Sequence, residues 1–482
     1  MKTKTSFILC LFLGIGLLFA CSKSDLLNND SSDLSSSNVN KSSPVCGKII
    51  VVKPSNGNDT KNLQDAFDKA VAYGPGSAVQ LVKGNYNIGF IQVREFKGSF
   101  IGAGKGKTII SALPGLDLNF QYNQNINPDL IKFIGGDVYI SDMTVENLTG
   151  DWLRSLVTFA DYSFAYYPKV QFVKGTVNNV GFMGQYIESM YWYNCNFAIL
   201  GAYDGIIDYS LPGALYRSHI DLNVTNSSFE TLGYGILYGG VKEGKVVCGT
   251  RNNGNVFTNN YEDVCFTDFI NDVKISIVGN RFSIPSGYYG LEVDGAPWPD
   301  FVEEPLTESV ICNIEENQLN DAGGDIAIWL HDHEFALHPE DNISILVTMK
   351  NNRIDMSNNS NTGIFMLELQ NAIFRNNVLT GIGNYGMYAI SYWPDIISKN
   401  GLILGNNFTK TTFADAAIYL DYTTQNWSVI GNPNATVINL GVNNIIKDAN
   451  FKNGHDHFGK DKEKIEDHYN FNHGNFRGHH HN

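Results

Sequence analysis

Asn351-Asn352-Arg353-Ile354, Asn376-Asn377-Val378-Leu379 and Gly405-Asn406-Asn407-Phe408 are copies of one phrase, an Asn-rich turn closed by an apolar residue. The phrase also occurs upstream, as Asn194-Cys195-Asn196-Phe197, Asn226-Ser227-Ser228-Phe229, Asn255-Val256-Phe257, Gly279-Asn280-Arg281-Phe282 and Glu316-Asn317-Gln318-Leu319. Successive closing residues stand between 25 positions (Phe257 to Phe282) and 37 positions (Phe282 to Leu319) apart. Self-similarity at such a period marks a solenoid, in which each repeat buries its apolar side only against its neighbours. An Asn repeated at one corner can pass a hydrogen bond from coil to coil, and Asn also tolerates the left-handed backbone of a sharp turn.

Between the turns, short apolar runs recur: Tyr203 to Asp208, Tyr234 to Tyr238, Asp263 to Asp268, Tyr288 to Asp294, Asp325 to Asp332, Gly363 to Glu368, Tyr385 to Tyr392 and Ala417 to Tyr422. Their length and composition predict strands. Upstream, Lys48-Ile49-Ile50-Val51-Val52 reads as a first strand. A helix should follow, capped at Asp59 or Thr60, with Leu63, Ala66, Phe67, Ala70 and Val71 on one face and Gly74-Pro75-Gly76 ending it. At the start of a solenoid that apolar stripe has an obvious use, covering the open end of the first coil.

The order that follows is Val79-Gln80-Leu81-Val82, the turn Lys83-Gly84-Asn85-Tyr86, the Gly-rich stretch Ser99 to Gly104, Thr108-Ile109-Ile110, and an alternating run from Val138 to Asn147. With the cap helix and the Asn turns, this resembles the pectate-lyase-like superfamily of right-handed parallel β-helices. The resemblance covers about residues 47 to 445. It implies an all-β fold, a single-stranded right-handed parallel β-helix with an N-terminal capping helix. It leaves activity open, because the superfamily includes lyases, hydrolases, epimerases, tailspikes and non-catalytic adhesins.

Outside that span the text changes character. Lys2 and Lys4, the apolar run Phe7 to Phe19, and Ala20 before Cys21 read as a secretion signal over residues 1–20. Leu17-Leu18-Phe19-Ala20-Cys21 resembles a bacterial lipobox, which implies lipidation of Cys21 and, with no Asp directly after it, an outer-membrane destination. Residues 21–46 are rich in Ser, Asn and Asp and read as a tether; 47–446 is the β-helix; 447–482 is a His-rich tail holding seven of the 11 histidines. Such a tail binds divalent metals weakly and without fixed geometry. The cysteines left after Cys10 and Cys21 are Cys46, Cys195, Cys248, Cys265 and Cys312, an odd number that cannot all pair.

The 34 Lys and Arg against 49 Asp and Glu give a net charge of −15, which argues against nucleic acid as a partner. An acidic surface also repels a polyanionic glycan unless cations intervene. Inserted text at Asp151 to Lys169, Asp294 to Glu308 and His331 to Asp341 reads as loops at coil corners, where recognition tends to reside. Stacked strands about 4.8 Å apart place equivalent outward residues in ladders. On this reading Glu292, Asp294, His331 and Asp332 are candidate catalytic residues. Asp208, Asp268, Trp298, Trp329, Glu368, Tyr392 and Asp421 are candidate substrate-binding residues, with Tyr238, Tyr289, Trp393 and Tyr422 as further aromatics.

Carboxylates beside aromatic faces suit sugars, so the expected partner is a polysaccharide. Paired carboxylates serve glycoside hydrolysis. A lyase would instead need a basic residue and, by the resemblance, often Ca²⁺; no Arg or Lys matches the family pattern, and no base is assigned. The alternative is a non-catalytic glycan-binding or adhesive module. Gly102-Ala103-Gly104-Lys105-Gly106-Lys107-Thr108 imitates a phosphate loop, but strand-like text follows where a helix is required. His331, His333 and His338 could group around a metal, and a loop with polar histidines is the plainer reading.

Overall fold

The computed structural model describes residues 47–116, 129–149, 152–160, 173–185, 201–209, 219–241, 243–269, 273–283, 289–294, 310–320, 326–332, 345–391, 397–448 and 450–452. From Ile49–Val52 to Asn450–Lys452 the ladders are parallel, and along the body of the stack strands such as Tyr289–Asp294 pair with one strand a coil earlier and one a coil later. The chain is therefore a right-handed parallel β-helix, the hand that parallel crossovers between twisted strands adopt.

Three strand positions make up a coil. In one coil they are Val273–Val278, Arg281–Ser283 and Tyr289–Asp294; in the next, Val310–Glu315, Gln318–Asn320 and Ile326–His331. Inward residues repeat in register, so Phe229, Phe257 and Phe282 stack with ring centroids 4.8 and 4.9 Å apart, and Phe182 lies 5.0 Å below Phe229. Leu319, Ile354 and Leu379 continue the same column.

The Asn turns divide their labour between two neighbouring residues. The first takes the left-handed backbone: Asn226, Gly279, Glu316, Asn351, Asn376, Gly405 and Gly431 all have φ between 52° and 71°. The second is buried and builds the ladder. Nδ2 of Asn255 donates to Oδ1 of Asn280 (3.1 Å), and the relay continues through Asn317 (3.0 Å), Asn352 (3.0 Å), Asn377 (3.0 Å), Asn406 (2.9 Å) and Asn432 (3.1 Å). Each receiving Oδ1 also accepts the backbone N–H of the preceding Asn, as Asn352 does from Asn317 at 2.9 Å. Only a short amide supplies donor and acceptor at once in that space. Ser227 stands at the head of the column, donating its backbone N–H to Asn255.

The helix Thr60–Tyr73 caps the first coil as expected, with Leu63, Ala66, Phe67 and Ala70 buried. Phe67 packs against Phe96, Phe100 and Phe133 at 5.0 to 5.7 Å. Val71, placed on the buried stripe from sequence, is exposed instead, at the edge of that face. Asp59 precedes the helix but makes no side-chain cap; its carboxylate accepts from Ser55 N–H at 2.8 Å.

Two further expectations are corrected. Trp152–Ala160, inside the stretch read as a loop, is a strand pairing with Asp129–Glu146 and Gly201–Tyr209, because Leu153, Val157 and Phe159 alternate inward. Tyr238, read as an outward aromatic, is fully buried, and its hydroxyl donates to the Ile220 carbonyl at 2.9 Å. Cys248 and Cys312 are free thiols, and both they and Cys265 are buried. Thr108–Ala112 is a strand, where a phosphate loop would need a helix.

Candidate functional site

One face of the β-helix carries the candidate chemistry. Its strands are Tyr234–Val241, Glu262–Phe269, Tyr289–Asp294 and Ile326–His331, continued by the C-terminal parts of Arg353–Leu367, Val378–Ile390 and Asn407–Leu420. Register fixes two outward columns. The first runs Leu237, Cys265, Glu292, Trp329, Phe365, Tyr388, Tyr419; the second runs Gly239, Thr267, then Asp294, His331, Leu367, Ile390. A third column begins one position before a kink: Tyr234, Glu262, Tyr289, Ile326, Thr362, Tyr385, Ala416. At the kink two successive residues turn inward. The first is small in most coils (Gly235, Gly290, Ala327, Gly363, Gly386, Ala417), and a Cβ on Gly235 would meet the Phe257 ring at 2.9 Å.

Polar residues break this otherwise apolar face where the columns meet. Glu292 and Asp294, two apart on one strand, both reach His331 on the next coil. His331 Nε2 lies 2.9 Å from Glu292 Oε1, and Nδ1 lies 3.4 Å from Asp294 Oδ1. The imidazole is completely buried, with the Trp329 ring 5.0 Å from it. Burial alone would lower its pKa, but the charge of Asp294, with the hydrogen bond and charge of Glu292, outweighs this and raises it to about 8. Protonated, His331 offsets one of the two acids.

Glu262 completes the group from the coil below. It is 2% exposed, and burial, then the charge and hydrogen bond of Glu292, push its carboxyl well above the usual carboxylate range. Two carboxyl groups so close cannot both ionise cheaply, which favours the protonated form of Glu262. Cys265 Sγ is 3.9 Å from Glu292 Oε2. Tyr234 stands under the cluster, its phenol held well above its usual pKa by burial and then by Glu262. Asp263 occupies the small-residue position of its coil, is fully buried, and accepts from Asn260 Nδ2 at 2.8 Å.

A second polar group lies at the strand ends of later coils. Asp332 accepts from Ile345 N–H at 3.2 Å, and burial raises its carboxyl to about 7. Glu368 sits in left-handed backbone (φ 62°), with Oε1 accepting from Ser391 Oγ at 3.0 Å. Ser391 N–H donates to Thr423 Oγ1, which donates on to Asp421 Oδ1. Glu368 and Asp421 thus belong to one buried chain of hydrogen bonds that ties the corner together.

Of the sequence candidates, Glu292, Asp294 and His331 meet directly, and Trp329 flanks them. Asp332 follows His331 but faces Ile345. In backbone register Asp208 aligns with Tyr238 and hence with Phe266 and Val293. The side chains of Asp208 and Asp268, and Trp298, Tyr392, Trp393, His333, His338 and Cys21, lie outside the described residues. Sequence reasoning missed Glu262, Cys265 and Tyr234. The signal was available in the repeated Tyr or Glu that opens this strand, but the kink makes it look inward by simple alternation.

No protein-family model matches the chain, and no curated protein matches it in sequence. Among solved structures, the chain is similar to a mannuronan C-5 epimerase A-module of Azotobacter vinelandii, at 14% identity and a TM-score of 0.36, covering 83% of this chain and 95% of that one. It is also similar to a surface adhesin of Streptococcus pneumoniae (15% identity, TM-score 0.45, 77% and 92% covered). A PL6-family polysaccharide lyase of Pseudopedobacter saltans is similar at 11% identity and a TM-score of 0.32, with 84% and 92% covered. These are likenesses of fold.

Proposed function

We propose that this protein binds polysaccharide along the acidic and aromatic face of its β-helix and hydrolyses it at Glu262, Glu292, Asp294 and His331. The observation that carries the reading is the meeting of His331 with both Glu292 and Asp294, next to the buried Glu262. Glycoside hydrolysis needs one carboxyl that gives a proton and one that stays ionised. Here a protonated Glu262 abuts a carboxylate steadied by imidazolium. The Tyr234–Val241, Glu262–Phe269, Tyr289–Asp294 and Ile326–His331 strands contain no Lys or Arg, and His331 already faces Glu292 and Asp294, so they offer a uronate no spare positive charge. This favours hydrolysis of a neutral glycan over β-elimination.

The burial of His331 and Trp329 favours a second reading, glycan binding without turnover. Full-length protein incubated with neutral and uronate polysaccharides separates the two, scored by reducing ends and by the ultraviolet absorbance of unsaturated ends. Hydrolysis predicts reducing ends from a neutral glycan, lost by at least a hundredfold in Glu292→Gln with glycan retention kept. Retention without turnover supports the binding module; unsaturated ends would overturn the hydrolytic reading. We also read the chain as lipid-anchored in the cell envelope through Cys21, supported by Leu17 to Cys21. Metabolic labelling with a fatty acid, lost in Cys21→Ser, is the expected result.

A further inference from the structure

We propose that Glu262, Cys265 and Glu292 form a binding site for a divalent d-block cation of the zinc class. This goes beyond the glycan reading and does not rest on it. One ligand atom from each residue lies within 4.8 Å of the other two. Bonds of about 2.0–2.3 Å at tetrahedral angles put zinc ligands roughly 3.3–3.8 Å apart. Cys265 Sγ and Glu292 Oε2, at 3.9 Å, already stand near that separation, and small side-chain rotations bring in Glu262.

A second observation is independent of that proximity. Glu262 is 2% exposed, yet its Oε1 has no hydrogen-bond partner among the described residues. A buried carboxyl oxygen left out of the hydrogen-bonding around it forgoes an interaction that water would supply, and a cation would restore one. Glu292 is also arranged as metal-ligating carboxylates are, with Oε1 held by His331 Nε2 at 2.9 Å and Oε2 turned toward the thiol. Such outer partners fix the orientation of a ligand.

Ligand type selects the metal. A thiolate is a poor ligand for Ca²⁺ and Mg²⁺ and a good one for zinc and its neighbours, and three protein ligands leave one coordination position for water or substrate. Binding balances in charge: the cation enters, the Cys265 thiol gives up its proton, and the proton on Glu262 leaves.

Co²⁺ titration of the full chain tests the site, because a Co²⁺–thiolate bond gives a charge-transfer absorption that histidine ligands in the C-terminal tail do not. The expected result is one equivalent of Co²⁺ producing that band, displaced by Zn²⁺. The band should be absent in Cys265→Ser, kept in Cys312→Ser, and weakened at least tenfold in affinity in Glu262→Gln. Absence of the band in the wild-type protein, or its persistence in Cys265→Ser, overturns the site. Glycan turnover is not the readout, since Glu292 serves both roles, so failure here leaves the hydrolytic reading untouched.

Discussion

At the scale of single residues, burial decides what each polar group must do. Asn352 accepts from Asn317 through both backbone N–H and Nδ2, and donates onward to Asn377. Replacing it with Ala leaves two buried donors without an acceptor, and each such loss costs about 1–3 kcal/mol. Asn352→Ala should therefore lower the denaturant midpoint of unfolding more than Asn351→Gly, which only relieves left-handed backbone. Asp332 makes the opposite kind of prediction. Its carboxyl is raised from 3.8 to about 7, so the folded state holds its proton more tightly than the unfolded chain. The stability this contributes is fully present below about 3.8 and is lost as pH rises through about 7. Thermal unfolding of wild-type protein should weaken across that window, and Asp332→Asn should flatten the decline.

At the scale of elements, the cap helix and the site-bearing strands differ in how plainly the sequence announced them. Leu63, Ala66, Phe67 and Ala70 repeat at helical spacing, so both the helix and its covering role were legible. Phe67→Ala removes a ring that touches three others, and truncations of this kind cost about 3–5 kcal/mol. Its expected signature is early exchange of the first coil's amides while the Asn ladder stays protected. The strand Tyr289–Asp294 was legible too, and with it the pairing of Glu292 and Asp294 on one side. Glu262 was not, because the kink before Val264 breaks the two-residue period from which facing is inferred. The rung on which Asp208 falls, level with Tyr238, was hidden for a related reason: ladder register is not contained in a local pattern. Trp152–Ala160 was hidden by the polar residues Arg154, Ser155 and Thr158 between its apolar positions.

At the scale of the whole molecule, the β-helix turns distances of about 30 residues in sequence into neighbouring rungs. Glu262, Glu292 and His331 meet only because three successive coils stack in register. In a repeat array each coil is stabilised by its neighbours, so damage in one coil propagates along the stack rather than vanishing into a shared core. Phe257→Ala, between Phe229 and Phe282, should destabilise by about 3–5 kcal/mol and uncouple the coils on either side. A broadened, two-step unfolding transition is the expected observation.

The stacking itself can be tested with one cysteine. Cys265 is the register partner of position 292 on the adjacent strand, with both side chains outward. Neighbouring parallel strands stand about 4.8 Å apart, within the roughly 4.4–6.8 Å between Cα atoms that a disulfide spans. In Glu292→Cys, mild oxidation should link the two thiols, seen as one cross-linked peptide by mass spectrometry, while in Val293→Cys, where the new side chain points into the core, Cys265 should stay an unlinked thiol. Two free thiols in the first variant, or a link in the second, would contradict the register on which the site depends.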